Sequence, residues 1–292
     1  MTTGILNINK PQGLTSHDVI NRIRRLIGVR KVGHTGTLDP LATGVLLVCV
    51  GQATRLIEYM QMGTKVYQAT ILFGKTTNTY DSEGKITAEH DPSHLTELSV
   101  CQALAKFVGT IEQVPPVFSA IKKDGVPLHK LARQGIHVEP KARMVHIDKI
   151  FLLNWHMPQA TIEVTCQAGT YIRSIAHDMG QVLGVGGHLT DLIRTANGNW
   201  HVDTATSLDD VENAVNHNKL NSVLYPKEKG ITHLPAMTLL FDEVRRVRMG
   251  QAITNRIEIE TPIVAGYDEN KKLVALLHTK LAGFLRPTKV FH

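Results

Sequence analysis

Aromatic residues make up only 5% of this 292-residue chain. A chain so poor in rings does not bind single strands through a broad stacking platform. Cysteine is scarce as well: the three residues, Cys49, Cys101 and Cys166, stand far apart in apolar segments, and no CxxC pair exists. That pattern suggests neither a zinc site nor a disulfide framework and suits a reducing cytoplasm. No apolar run approaches the length of a membrane span, and the first residues lack the apolar core of a secretory signal. There is no internal repeat and no low-complexity tract. Gly74-Lys75-Thr76 hints at a phosphate-binding loop, but that motif needs a glycine where Ala69 stands, so the P-loop is rejected. The expectation is a soluble, cytoplasmic protein with no membrane partner and no metal.

Hydrophobic residues at 42% are enough for a real core, and charged residues at 20% do not suggest disorder. The length suits one large domain plus a small one, or two comparable ones. The net charge of +6 favours a polyanionic partner.

The chain is organised around residues 33–44, GHTGTLDPLATG, which run straight into the apolar strand Val45–Val50. A glycine-rich loop is costly to order and pins no core of its own, so it reads as built to meet a ligand. Asp39 is its only carboxylate. From local chemistry alone, Asp39-Pro40 reads as a helix N-cap followed by proline at the first helical position. Upstream, Gly4–Asn9 is a strand ending in the turn Lys10-Pro11-Gln12-Gly13, and Ser16 is placed to cap a helix with Val19, Ile20, Ile23, Leu26 and Ile27 on its apolar face. The other face carries Arg22, Arg24 and Arg25, continued by Arg30 and Lys31, a placement that suits phosphate contacts.

Downstream, Gln52–Gln61 reads as a short helix and Lys65–Phe73 as a strand with Tyr67, Ala69, Ile71 and Phe73 on one face. Leu98–Val108 is helical by pattern, closed by Gly109, and a further helix ends at Ala132-Arg133-Gln134-Gly135. Strands are expected over Arg143–Leu153 and Thr161–Gln167. Arg173 falls in the first turn of a helix, where the macrodipole disfavours a cation, so it needs another reason such as a carboxylate partner. His217–Leu234, with Pro226 and Gly230, reads as a linker. Short strands follow at Ile263–Tyr267 and Leu273–Leu277, separated by the turn Asp268–Lys272.

Residues 33–44 resemble the signature of the tRNA pseudouridine-55 synthases, the TruB family. Further blocks share the resemblance: Lys10-Pro11-x-Gly13, Lys65-x-Tyr67, NTYDSEG at 78–84, PPVFSAIK at 115–122, ARQG at 132–135, GTYIR at 169–173 and HLTDLIRT at 188–195. Together they cover roughly residues 4–200. The resemblance implies an α+β fold: a pseudouridine synthase-type catalytic domain on a mixed, mainly antiparallel sheet with flanking helices, spanning 1–228. A small β-rich, PUA-like RNA-binding domain would span 232–292, where Arg286-Pro287 supports a weaker likeness. It implies a monomer that isomerises uridine at position 55 in the tRNA T-loop, with the T-arm as partner, and a tRNA-folding chaperone role beside catalysis. An isomerisation oxidises, hydrolyses and phosphorylates nothing, so no cofactor is expected.

The resemblance also assigns roles. Asp39 is the catalytic nucleophile and Arg173 its partner, and an adjacent guanidinium depresses a carboxylate pKa by roughly 1–3 units. Tyr67 stacks on the target uracil, and its phenol helps remove the C5 proton. Tyr171 and Leu192 line the pocket, Asp81 hydrogen-bonds the flipped base, and His34 stacks where the uridine has left. Lys10, with Arg22, Arg24 and Arg25, meets phosphates. Two other classes compete. A non-catalytic RNA binder would have no use for Asp39 and Arg173 together. A hydrolase using His34 and Asp39 would want a serine or cysteine nucleophile or a metal, and none is placed for it.

Overall fold

A computed structural model describes residues 2–119, 121–136, 138–258, 261–281 and 283–292; Ala120, within the PPVFSAIK block, lies outside them. The strands that build the main sheet are β1 (Gly4–Lys10), β2 (Thr43–Val50), β3 (Lys65–Phe73), β4 (Gly109–Gln113), β5 (Arg143–His156), β6 (Gln159–Cys166) and β7 (Gly187–Asn197). They lie in the order β1-β2-β7-β3-β6-β5-β4. Only the β2–β7 pair among these neighbours is parallel, so the expected mixed, mainly antiparallel sheet is present. Helices α1 (Ser16–Ile27) and α2 (Ile172–Val182) flank it.

Burial follows the pleat. On β3, Tyr67, Ala69, Ile71 and Phe73 enter the main core, while the alternate residues are half-buried. β1 and β2 differ, because both of their faces are covered. Leu6, Ile8, Leu46 and Val48 pack toward α1, whereas Ile5, Val45, Leu47 and Cys49 join a second core with Ala265, Leu276 and Phe291. The unbroken apolar run Val45–Val50 is the sequence trace of that two-sided burial.

The second core belongs in part to a five-stranded C-terminal sheet. Its strands are β8 (Ala236–Thr238), β9 (Ile253–Thr254), β10 (Ile263–Tyr267), β11 (Leu273–Leu281) and β12 (Phe284–Val290), ordered β8-β10-β11-β12-β9, with helix α3 (Phe241–Arg248) against them. Neither α3 nor β8 and β9 stood out in the sequence. The stretch expected to be a linker is ordered instead. Tyr225 exchanges backbone hydrogen bonds with Ile5 at 2.8 and 2.9 Å, and Ile231 is fully buried. Gln52–Gln61 is mostly a tighter 3-10 turn, and the helix expected at Leu98–Val108 is shorter, Glu97–Ala105.

One row of residues crosses four strands: Lys10 opposes Gly44, Gly44 opposes Arg194, and Arg194 opposes Tyr67. Gly44 sits at φ +94°, and a Cβ there would stand 2.3 Å from the Arg194 carbonyl oxygen. Gly44→Ala should therefore cost about 3 kcal/mol or more, from the left-handed backbone and the forced separation of β2 from β7. Denaturant unfolding measures it, and a loss below 1 kcal/mol, in the range of an ordinary surface change, would contradict the close approach.

Candidate active site

The loop carrying Asp39 is held from beneath by three side chains. Ser16 Oγ donates to the Leu38 carbonyl at 3.0 Å and accepts from the Leu38 N–H at 2.8 Å. The helix cap is not Ser16 but Thr15, which forms a capping box with Asp18 and frees Ser16 for this contact. Lys10 is fully buried, and its ammonium donates to the carbonyls of Pro11, Leu14 and Pro40 at 2.8, 2.7 and 3.3 Å. Burial pulls it down to about 8, opposed by the nearby Asp39. Arg194, at 1% exposure, donates from Nε to the Val45 carbonyl at 2.7 Å and from Nη2 to the Gly36 carbonyl at 3.2 Å. No helix follows Pro40. Asp39-Pro40 forms a turn closed by the Ala42 N–H on the Asp39 carbonyl at 3.1 Å.

The guanidinium facing Asp39 comes from α2. That helix sits tight on the start of β7, because a Cβ at Gly180 would stand 2.2 Å from the Gly186 carbonyl carbon. Its first turn is clamped by buried Gln113, whose Oε1 accepts from the Tyr171 N–H at 2.8 Å and whose Nε2 donates to the Tyr171 carbonyl at 3.0 Å. Ser174 Oγ adds a bond to the Val114 carbonyl at 2.8 Å. Arg173 is thereby presented to two carboxylates at once. Its Nη2 donates to Asp39 Oδ1 at 3.2 Å, and Nε stands 2.9 Å from Asp39 Oδ2 without hydrogen-bond alignment. Its Nη1 donates to Asp81 Oδ2 at 3.2 Å and to the Thr79 carbonyl at 3.0 Å, and Nη2 also reaches the Phe118 carbonyl at 3.0 Å. Here is the partner that the first-turn arginine required.

The two carboxylates are not equivalent. The Asp39 side chain is 30% exposed and that of Asp81 only 4%, so Asp39 is the one an incoming molecule can touch. Asp81 Oδ1 already accepts from Thr79 Oγ1 at 2.5 Å and from the Glu83 N–H at 3.1 Å. Through Oδ2 the same carboxylate holds Arg173. Burial, with a second carboxylate beside it, reverses the expected direction for Asp39. Burial pushes its carboxyl above the ordinary aspartate range, Arg173 pulls it down, and the second carboxylate, Asp81, pushes it up again. One guanidinium does not outweigh burial and a like charge together.

The remaining expected residues are placed as follows. Tyr67 lies in the core-facing row with the Arg194 guanidinium 6.0 Å from its ring centre, and burial raises its phenol, opposed by Arg194. A phenol shifted that way stays protonated at neutral pH. Half-buried His34 has an Nδ1 without a hydrogen-bond partner, and burial lowers its pKa, so its ring is a neutral plate. Tyr171 is half-buried under the Arg143 guanidinium, 4.7 Å from the ring centre, and Leu192 is buried in the main core. Three of the cations expected to meet phosphates are engaged within the protein instead. Lys10 is turned inward, Arg22 pairs with Asp209 and Glu212 at 2.6 and 2.8 Å, and Arg24 donates to the Arg30 and Val32 carbonyls. Arg25, Arg30 and Lys31 are exposed. Arg194 and Gln113 have no assigned role in the sequence, where only Arg194, inside the HLTDLIRT block, carries a signal, and Ser16 reads there as a cap rather than as a support of the loop. A cavity of about 710 Å³ lies elsewhere. It is lined by Val66, Gln68, Ile193 and Thr195, which alternate with Tyr67 and Arg194 and so face away from them.

A mixed sheet with a loop-borne aspartate locked to a helix-borne arginine describes a pseudouridine synthase fold. Solved structures agree: an H/ACA RNP bound to a substrate RNA containing 2′-deoxyuridine aligns at TM-score 0.77 and 25% identity, covering 99% of this chain and 85% of that one. A Cbf5-Nop10-Gar1 complex aligns at TM-score 0.78 and 27% identity with the same coverage. The sequence matches the TruB family pseudouridylate synthase N-terminal domain over residues 24–172 and the tRNA pseudouridylate synthase B C-terminal domain over 173–232. It is 46% identical over 247 residues to the tRNA pseudouridine synthase B of Syntrophotalea carbinolica, covering 85% of this chain and 80% of that protein. To that of Dehalococcoides mccartyi it is 43% identical over 288 residues, covering 99% and 96%. The chain belongs to the TruB family of tRNA pseudouridine synthases, isomerases that convert uridine in tRNA to pseudouridine.

Loss of the shared guanidinium and loss of the second carboxylate should move Asp39 in opposite directions. In ¹³C NMR titrations of the Asp39 carboxyl, the midpoint should lie above that of a free aspartate. Arg173→Met, which removes the pull downward, should raise it further, and Asp81→Asn, which removes a like charge, should lower it. The same sign for both substitutions would refute the sharing.

Proposed function

We propose that the protein isomerises the T-loop uridine at position 55 of tRNA, with Asp39 as the nucleophile on a flipped-out base. The observation that carries this reading is that Asp39 is the accessible member of a carboxylate pair sharing the buried Arg173. In the reaction the C1′–N1 bond breaks, the uracil turns, and C5 bonds to C1′; N1 gains a proton and C5 loses one, so nothing is consumed. A carboxylate beside C1′ or the base supports the charge that develops as the glycosidic bond breaks. Arg173 holds that carboxylate in place, and a site closed by the RNA strengthens the pairing. Tyr67 is the ring for the extruded uracil, Tyr171 and Leu192 bound the pocket, and neutral His34 replaces the departed base in the stack. Flipping costs a few kcal/mol, which stacking at about 1–3 kcal/mol per base offsets. Lys10 and Asp81 act as supports of the loop and of Arg173.

Position 55 lies in a folded stem-loop, and recognition through shape and backbone suits a basic surface with few aromatic residues. The C-terminal sheet would add RNA contacts of the PUA kind. A monomer in the cytoplasm fits this reading. The chaperone role would use the same surface without the chemistry.

Tritium release from 5-³H-uridine tRNA transcript tests the assignment. Wild type should release tritium, and Asp39→Asn should bind the RNA yet release it more than about 10³-fold slower, the scale of removing a nucleophile. Equal rates would take Asp39 out of the chemistry, and release from a transcript with cytidine in place of uridine 55 would exclude that position. Refolding of misfolded tRNA should persist with normally folded Asp39→Ala; its absence would end the chaperone proposal.

A further inference from the structure

Behind the carboxylate network lies a second contact between the same two segments. The Tyr80 and His177 rings are stacked, with centroids 3.8 Å apart and planes 12° from parallel. Tyr80 precedes Asp81 in the loop, and His177 lies four residues after Arg173 on α2, which puts both helix residues on one face. Helix residues one turn apart thus grip consecutive loop residues. The Arg173 contacts bracket the stack, since Nη1 bonds the Thr79 carbonyl on one side of Tyr80 and the Asp81 carboxylate on the other.

The local backbone is unusual at the same point. Tyr80 holds φ +63°, a left-handed conformation that a bulky side chain rarely adopts. That reversal sends the Tyr80 ring toward α2 and leaves the flanking backbone paired to β7, where the Leu189 N–H donates to the Tyr80 carbonyl at 3.0 Å and the Ser82 N–H donates to Leu189 at 2.9 Å. His177 Nδ1 is buried without a hydrogen-bond partner, so no hydrogen bond at that nitrogen orients the imidazole, and the ring face supplies the contact. Burial also lowers the His177 pKa, which leaves a neutral ring against Tyr80 at pH 7.

We propose that Tyr80 and His177 are a positioning pair that fixes the direction from which Asp81 meets Arg173, and through Arg173 the placement of Asp39. The inference rests on the catalytic reading above for its kinetic consequence, but not for its structural one. A stack placed there offsets a disfavoured backbone conformation and holds Asp81 against the guanidinium without touching the substrate.

The test uses the full-length protein with His177→Ala, His177→Phe, Tyr80→Gly and Tyr80→Ala. Tyr80→Gly keeps the left-handed backbone while removing the ring, and His177→Phe keeps a ring without the nitrogens. Two readouts are needed: tritium-release kinetics, and the ¹⁵N–¹H resonance of Arg173 Nε, assigned by its loss in Arg173→Lys. His177→Ala and Tyr80→Gly should lower kcat by up to about 10²-fold with KM for tRNA unchanged, as misplacement of a catalytic group does. They should also broaden or abolish the Nε–H resonance. His177→Phe should restore both readouts toward wild type. Tyr80→Ala should lose at least as much as Tyr80→Gly. Wild-type kcat and an intact Nε–H signal in His177→Ala and Tyr80→Gly would overturn the proposal. So would losses that only follow a fall in Tm and appear equally in His177→Phe. If wild type releases no tritium while the Nε–H signal still responds to the stack, the catalytic reading fails and the positioning pair stands.

Discussion

A single buried guanidinium divided between two carboxylates is the constraint on which the rest of this structure depends. An arginine 4% exposed with no carboxylate nearby would carry a large desolvation cost, and two buried carboxylates without it would discharge by taking protons. With all three present each charge has a partner, and the partition of exposure decides which carboxyl an incoming molecule can reach. Asp81 is sealed behind its own hydrogen bonds from Thr79 and Glu83, whereas Asp39 opens outward. Much of the surrounding architecture fixes the ends of this cluster: Gly180 seats the helix, Gln113 clamps its first turn, and Ser16 pins the residue before Asp39.

The second constraint is the row Lys10, Gly44, Arg194 and Tyr67 across four strands. Two of its members are fully buried cations that donate mainly to backbone carbonyls of the Asp39 loop and its neighbours. A loop so rich in glycine has few side chains with which to hold itself, and its carbonyls are satisfied from outside instead. The long, many-donor side chains of lysine and arginine reach several carbonyls each, which serine or asparagine could not. Charge here is used for its hydrogen-bond donors, and burial lowers Lys10 to about 8 as the consequence.

The sequence was most legible where one periodicity or one motif carried the information. The alternation of Lys65–Phe73, the apolar run Val45–Val50 and the block 169–173 each led to the right element, and the demand of a first-turn arginine for a partner led to Arg173. It was least legible where the deciding contact is distant. Ser16 satisfies local cap chemistry as well as Thr15 does, and only the fold shows that its hydroxyl is spent on Leu38. Gln113 carries no signal, because its clamp on Tyr171 depends on a strand edge meeting a helix end 58 residues later. The direction of the Asp39 shift failed because a pairwise view of Asp39 and Arg173 omits first the burial of Asp39 and then Asp81, which reaches Arg173 from another segment.

The misplaced cations teach a related point. The basic face before the loop suggests Arg22 and Arg24 as phosphate contacts, and the family resemblance adds Lys10. The fold divides that cluster by function: Lys10 braces the loop, Arg22 ties α1 to Asp209 and Glu212, and Arg24 closes the carbonyls after α1. Arg25, Arg30 and Lys31 are left exposed. Exposed cations add affinity by releasing counterions, and that contribution falls with salt, whereas buried donors set geometry that salt does not screen. A net charge of +6 therefore does not separate the cations available to a polyanion from those invested in shaping the loop.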